Sequence, residues 1–338
     1  MTLLRPAFQV TLGGQRVDSS GAPLSNTISA LDVQLSMDPM RADQTSITLG
    51  QVGALTPAPD DAATIELGYA DEGENLVQVM AGTVFEVGHA VTTERIVCLG
   101  AAATLARRTT ATTFRDRQAG EIVRALATDA GVAVARTGTS SVLPYYAVDR
   151  QRSLLRHMAD LAALTGFDLY VDAAGELVFE PFGSGREVFA IAYATDVLSY
   201  DAKRRPAVFG GVEAFGESPG ASAGADSWSW LTKDFGPRKG SAGRGDPVLH
   251  VDRSALRTAE AAQQAADAAL TFVDRQRLAG QVQVIGRPAI GLGDAIRLSN
   301  MPEDDLNATF QVRALRHRLD RQSGFVTDIR FRSLERPA

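Results

Sequence analysis

Four histidines, one cysteine and two pairs of adjacent aspartates are the groups with which this chain could do chemistry. His89, His157, His250 and His317 stand at no metal-ligand spacing such as i, i+4. His89 and His317 fall near the ends of strand-like runs, where packing or hydrogen bonding is the expected role. His157 falls on a predicted helix beside Arg156 and is expected at the surface or between domains. Cys98 is the sole cysteine, which excludes an internal disulfide and a thiolate metal cage; its setting in Arg95-Ile-Val-Cys-Leu99 predicts a small core residue. Asp60-Asp61 and Asp304-Asp305 sit in turn-like sequence, where aspartate is favoured for its bonds to nearby backbone. A glycosidase needs two carboxyls at a set distance in space, which adjacency in sequence does not supply. Gly291-Leu-Gly293-Asp294 lacks both the P-loop pattern and a following helix. No catalytic, cofactor-binding or metal residue is assigned, no cofactor is expected, and the chain is not expected to be an enzyme.

The pair Trp228 and Trp230 points to contact rather than catalysis. These are the only tryptophans, and they lie in a stretch otherwise rich in Gly, Ser and Ala. Large aromatics in such a stretch need somewhere to be buried, either on their own domain or on a neighbour. They are the candidate partner-docking residues.

The elements that would position these residues come from a chain of 338 residues, long enough for two or more domains. Hydrophobic content of 45% and charged content of 22% suit a globular protein with a substantial core. A net charge of -6 argues against nucleic-acid sequence recognition and against an anionic membrane surface. All but three of the 34 cations are arginine, a residue favoured at interfaces where lysine is depleted. No signal peptide, transmembrane helix or membrane anchor is read, so folding in the cytoplasm is expected.

Residues 1–104 read as β, with alternating runs such as Phe8-Gln-Val-Thr-Leu12, Ser29 to Leu35 and Thr64-Ile-Glu-Leu67 separated by Gly, Pro and Asp clusters. This predicts a closed or nearly closed antiparallel sheet. Residues 105–200 predict an α+β module. It has a helix over Gln118 to Ala130 ending at Gly131 and a second from Ser153 to Thr165 ending at Gly166. A hairpin of Phe167 to Val171 and Glu176 to Phe179 follows. Residues 201–338 return to β, interrupted by a Gly/Ser-rich excursion (216–246) and a long Ala-rich helix (254–277). The small residues of that helix predict close packing on a sheet or partner.

The first and last β blocks repeat each other. Thr64-Ile-Glu-Leu67 parallels Ala295-Ile-Arg-Leu298, Val84-Phe-Glu-Val-Gly-His89 parallels Val312 to His317, and Arg95-Ile-Val-Cys-Leu99 parallels Thr327-Asp-Ile-Arg-Phe331. A trimer of such chains would present six copies of one β module around an axis, which resolves a three-to-six mismatch on docking to a six-fold ring.

Three ordered stretches resemble the phage tail hub family, which includes the late control protein D of contractile-tailed phages and the N-terminal part of type VI secretion spike proteins. They are Ser153-Leu-Leu-Arg-His-Met-Ala-Asp-Leu-Ala-Ala-Leu-Thr-Gly-Phe167 with Gly175 to Phe179; Thr258-Ala-Glu-Ala-Ala262; and Gly286 to Asp294 leading into Phe310 to His317 and Gly324 to Asp328. The resemblance implies a mainly β chain with α+β insertions, in which two tube-like antiparallel β-barrel domains carry a small helix-helix-hairpin module. It also implies a homotrimer that closes a hexameric tail tube on one face and carries a spike on the other, among other baseplate proteins. Such a particle is assembled in the bacterial cytoplasm. Because the chain stops at Ala338, directly after the second β block, the spike is expected to be a separate protein. A phage, a phage-tail-like bacteriocin and an extracellular injection particle all fit. Competing readings are a tail-tip cell-wall hydrolase or another tail tube or baseplate protein.

Overall fold

The computed structural model describes residues 4–19, 28–38, 41–50, 55–70, 76–182, 185, 187–216 and 239–334. Its N-terminal block holds β1 (Pro6–Leu12), β2 (Gln15–Asp18), β3 (Ile28–Ser36), β4 (Gln44–Leu49), β5 (Ala62–Tyr69), β6 (Val77–His89) and β7 (Glu94–Leu99). Period-two burial is explicit in β4: Thr45, Ile47 and Leu49 are buried while Gln44, Ser46 and Thr48 are not.

The middle of the chain forms α1 (Ala102–Arg107), β8 (Thr112–Gln118), α2 (Ala119–Asp129), β9 (Val134–Thr137), β10 (Val142–Val148), α3 (Leu154–Thr165), β11 (Phe167–Val171) and β12 (Leu177–Pro181). Both predicted helices have the ends their sequences specify. Gln118 and Glu121 make a reciprocal capping box at α2. The Ser153 hydroxyl accepts the Arg156 N–H at α3, and Gly166 ends that helix at φ 74°, a left-handed conformation that glycine adopts without strain.

The remainder comprises β13 (Val188–Ala192), α4 (Tyr193–Asp196), β14 (Val197–Arg204), β15 (Gly211–Phe215), β16 (Gly240–Gly243), β17 (Val248–Asp252), α5 (Ala259–Arg275), β18 (Leu278–Ile285), β19 (Ala295–Ser299), β20 (Thr309–Asp320) and β21 (Gly324–Ser333). The Ala-rich helix expected over 254–277 starts later, because the Thr258 hydroxyl caps it by accepting the Ala261 N–H. Within the Gly/Ser-rich excursion (216–246), residues 217–238 lie outside the described residues, while Gly240–Gly243 pairs with β15 as an ordered strand.

The fold is mainly β, in several sheets, with α+β insertions. Thirteen strands form one sheet, whose main path runs β14-β18-β21-β20-β3-β4-β7-β6-β5-β1-β2, with β19 on β20 and β13 on β19. The two β blocks are therefore joined edge to edge through β3 and β20, and none of the described sheets closes on itself within the chain. An extra residue, Arg313, interrupts the β20–β21 ladder, and along the other edge of β20 the residues before it pair with β19 and those after it with β3. One apolar cluster spans both blocks, from Phe8 and Ile47 to Phe310 and Ile329, and the Tyr69 hydroxyl donates to the Gly286 carbonyl across it. A second cluster joins α1, α2 and α3 to β11, β12, β15 and α5.

Cys98 lies fully buried in the first cluster, where loss of hydration pushes its thiol up to about 12. A maleimide reagent at pH 8 is expected to leave the native chain unlabelled and to label it fully in denaturant. Rapid labelling of the native protein would contradict this burial.

Candidate assembly interface

The repeat read in the sequence extends to six strands in each unit. The order β3-β4-β7-β6-β5-β1 matches β14-β18-β21-β20-β19-β13. Irregularities coincide too. Phe85 is the extra residue between Val84 and Glu86 of β6, and Arg313 is the extra residue between Val312 and Ala314 of β20. Ser29 and Leu198 are likewise the extra residues of β3 and β14. Two bulges at corresponding places are structural features with no cause in simple alternation, so their recurrence carries more weight than the few identical residues. The units differ in one pairing: β1 runs antiparallel to β5, whereas β13 runs parallel to β19.

The ladders correct two of the proposed alignments. Val84 faces Cys98 as Val312 faces Phe331, and His89 faces Glu94 as His317 faces Thr327. Glu94, Ile96 and Cys98 therefore correspond to Thr327, Ile329 and Phe331, one residue from the sequence alignment, and all six are buried. A one-residue slip exchanges the two faces of a strand, so burial decides this point. At the other side of the middle strand Ala62, not Thr64, corresponds to Ala295; this two-residue slip keeps the same face.

The equivalent bulge residues meet different surroundings. Arg313 is turned toward the α+β module, where its Nη1 donates to Asp168 Oδ1 on β11 at 2.6 Å. Arg332 Nη2 stands 3.5 Å from the same oxygen, the Gln311 amide donates to Oδ2, and Arg332 Nε donates to Gln311 Oε1 at 2.7 Å. Burial, and then the charge of Arg313, push the Arg332 guanidinium down to about 9. Arg275 on α5 is also held below its usual range by burial, offset in part by Asp168. The cluster borders a cavity of about 430 Å³ between α3 and α5. It is a charged lock between sheet and module. Phe85, by contrast, stays 50% exposed with Arg107 over its ring at 5.8 Å.

The residues singled out by sequence do not converge. His89 is exposed beside the buried Glu94 at 3.7 Å, and His250 is exposed beside Glu213. His317 is buried with Nδ1 2.9 Å from Thr327 Oγ1. His157, expected at the surface or between domains, is fully buried: it lies one turn from Leu154 and Leu161 on the inner face of α3, with Nε2 3.3 Å from the Asp149 N–H. Asp61 accepts the Ala58 N–H, Asp294 accepts the Gly291 N–H, and Asp305 pairs with Arg204, so these carboxylates serve turns and surface ion pairs. Among the described residues no three His, Cys, Asp or Glu side chains gather as a metal site. Trp228 and Trp230 lie outside the described residues. The Asp168 lock is not legible in the sequence, since its members stand about 145 residues apart; its one local sign is an aspartate inside an apolar strand, Phe167-Asp-Leu-Tyr-Val171.

No protein-family model and no curated protein sequence matches the chain. Solved structures do resemble it. The 43 kDa tail protein of prophage MuSo2 from Shewanella oneidensis aligns over 97% of this chain and 98% of its own, at 14% identity and a TM-score of 0.70. A tail protein from Neisseria meningitidis MC58 aligns over 97% of each chain, at 14% identity and 0.67. The E. coli c3393 protein is a type VI secretion component with structural similarity to the T4 tail proteins gp27 and gp5. It aligns over 95% of this chain and 76% of its own, at 8% identity and 0.57. At such identities the likeness is one of fold.

Proposed function

We propose that this chain, which has the fold of the phage tail hub family, is a trimeric baseplate hub that adapts a hexameric tail tube to a spike. The observation that carries the reading is the six-strand unit present twice, with the same strand order and matching bulges. Three chains then offer six near-equivalent β modules to a six-fold ring, and chain-specific features remain for a three-fold spike. We assign the tube-like role to the two six-strand units, in residues 1–104 and 201–338 together with β13 and the start of β14, and place the rest of the 105–200 module on their flank. The protein acts by shape and contact and not as an enzyme. It belongs to a virion tail or injection particle assembled in the bacterial cytoplasm, and Trp228 and Trp230 dock on a neighbouring component.

Mass in solution tests this directly. Light scattering on purified protein is expected to give three times the chain mass of 35.9 kDa. A six-chain species would indicate a tube ring instead, and a monomer at every concentration would overturn the hub reading.

A further inference from the structure

The junction inside the chain is a template for one between chains. β3 opens the first six-strand unit and pairs with the C-terminal part of β20 in the second. By the repeat, β14 opens the second unit, and only β18 pairs with it among the described strands. The matching part of β6, from Glu86 to His89, pairs only with β7 among the described strands. Among the described residues one chain thus carries two complementary open edges, which is the arrangement of a head-to-tail connector.

We propose that β14 of one copy adds antiparallel to the C-terminal part of β6 of the next copy, in the register that β3 keeps with β20. This inference rests on the self-assembling reading above and names its surface. Arg316 faces Gln34 and His317 faces Val33 within the chain. The ladders of the two units make Gly88 and His89 the counterparts of Arg316 and His317, and Lys203 and Ala202 the counterparts of Gln34 and Val33. Gly88 of one copy therefore faces Lys203 of the next, His89 faces Ala202, and Glu86 faces Arg205.

Burial supports the match position by position. Leu31, Val33 and Leu315 are buried at the internal junction. Their counterparts at the open edges, Tyr200, Ala202 and Val87, are only partly buried. The match runs over Glu86 to His89, since β6 turns after His89 whereas β20 continues to Asp320. Charge agrees as well. β14 ends in Lys203 and Arg204, which face Asp201 and Asp305, and runs on to Arg205, while the β6 edge offers Glu86. The internal junction is itself crossed by an ion pair, Arg316 to Asp32, at 2.7 and 2.8 Å. Closing the sheet between copies also gives the β blocks their tube, since the described sheet stays open within one chain.

The test is a cysteine pair, Gly88→Cys with Lys203→Cys, oxidised in the assembled protein. A Cβ at Gly88 meets nothing nearer than 3.7 Å, so the substitution fits. The internal counterpart, Gln34→Cys with Arg316→Cys, must cross-link within one chain and shows that the geometry permits the bond. Gly88→Cys with Ala202→Cys, on opposite faces, must stay uncross-linked. The expected result is a reducible ladder of joined chains from the first pair alone. Complete internal cross-linking, an oligomeric mass and no ladder would overturn the pairing but leave the trimer standing; a monomeric mass would overturn both. A second measurement avoids cysteine. Glu86→Lys and Arg205→Glu should each raise the concentration for half-assembly about tenfold, and the double swap should restore it. Single variants that assemble like the wild type would count against the register.

Discussion

Replacing Asp168 with alanine should lower the unfolding free energy by about 3–5 kcal/mol, the range measured when one partner of a buried ion pair is removed. The reason is the imbalance of the lock. Asp168 is the carboxylate that Arg313 and Arg332 both approach, and it also offsets the burial of Arg275. Without it, guanidiniums held below their usual range by burial lose their counter-charge, and the Gln311 amide, itself fully buried, loses its acceptor. Asp168→Asn keeps an acceptor for Gln311 but not the charge, so it should fall between wild type and alanine. Urea unfolding of the three proteins checks the order. A loss below about 1 kcal/mol for the alanine variant would show that water, not Asp168, compensates the arginines.

What the sequence made legible, and what it hid, follows from the range of the interactions. The ends of α2 and α3 were readable because Gln118, Glu121, Ser153 and Gly166 act on backbone within four residues. The β repeat was readable because each strand alternates. Its register was not, because alternation sets faces while turn lengths and bulges set the ladder; one strand was therefore misaligned by one residue and another by two. Closure was out of reach for a related reason. Whether a β block closes on itself or joins its neighbour depends on which edge strand β20 accepts, and β3 lies more than 270 residues away from it. His157 stands beside the polar Arg156 in sequence, but the Leu154, His157, Leu161 spacing puts its ring on the inner face. The lock at Asp168 is the plainest loss: three strands and a helix contribute to it, and its one local sign is the aspartate inside the apolar strand β11.

His317→Gln and Asp43→Asn should tilt the pH dependence of stability in opposite directions, each by about 3–4 kcal/mol relative to wild type between pH 4 and 7. Both groups brace β3, Asp43 by accepting the Ser36 N–H at 2.8 Å and His317 by facing Val33 from β20. Burial pushes the Asp43 carboxyl up from 3.8 to about 7 against the pull of that hydrogen bond. The fold thus favours neutral Asp43. Its contribution is complete below about pH 4 and is lost as pH rises through 7. Burial pushes the His317 imidazole down from 6.5 to about 4, with Asp328 opposing. The fold favours neutral His317, so its contribution is complete above 6.5 and is lost as pH falls toward 4. In the wild type the two losses run against each other across the same window and largely cancel. Removing the histidine exposes the aspartate's slope, so His317→Gln should become less stable as pH rises from 4 to 7, relative to wild type. Removing the carboxyl exposes the histidine's slope, so Asp43→Asn should gain stability over that interval. Urea midpoints at pH 4, 5, 6 and 7 for the three proteins decide it. Slopes of the same sign in the two variants would mean that at least one of these groups remains hydrated in the folded protein.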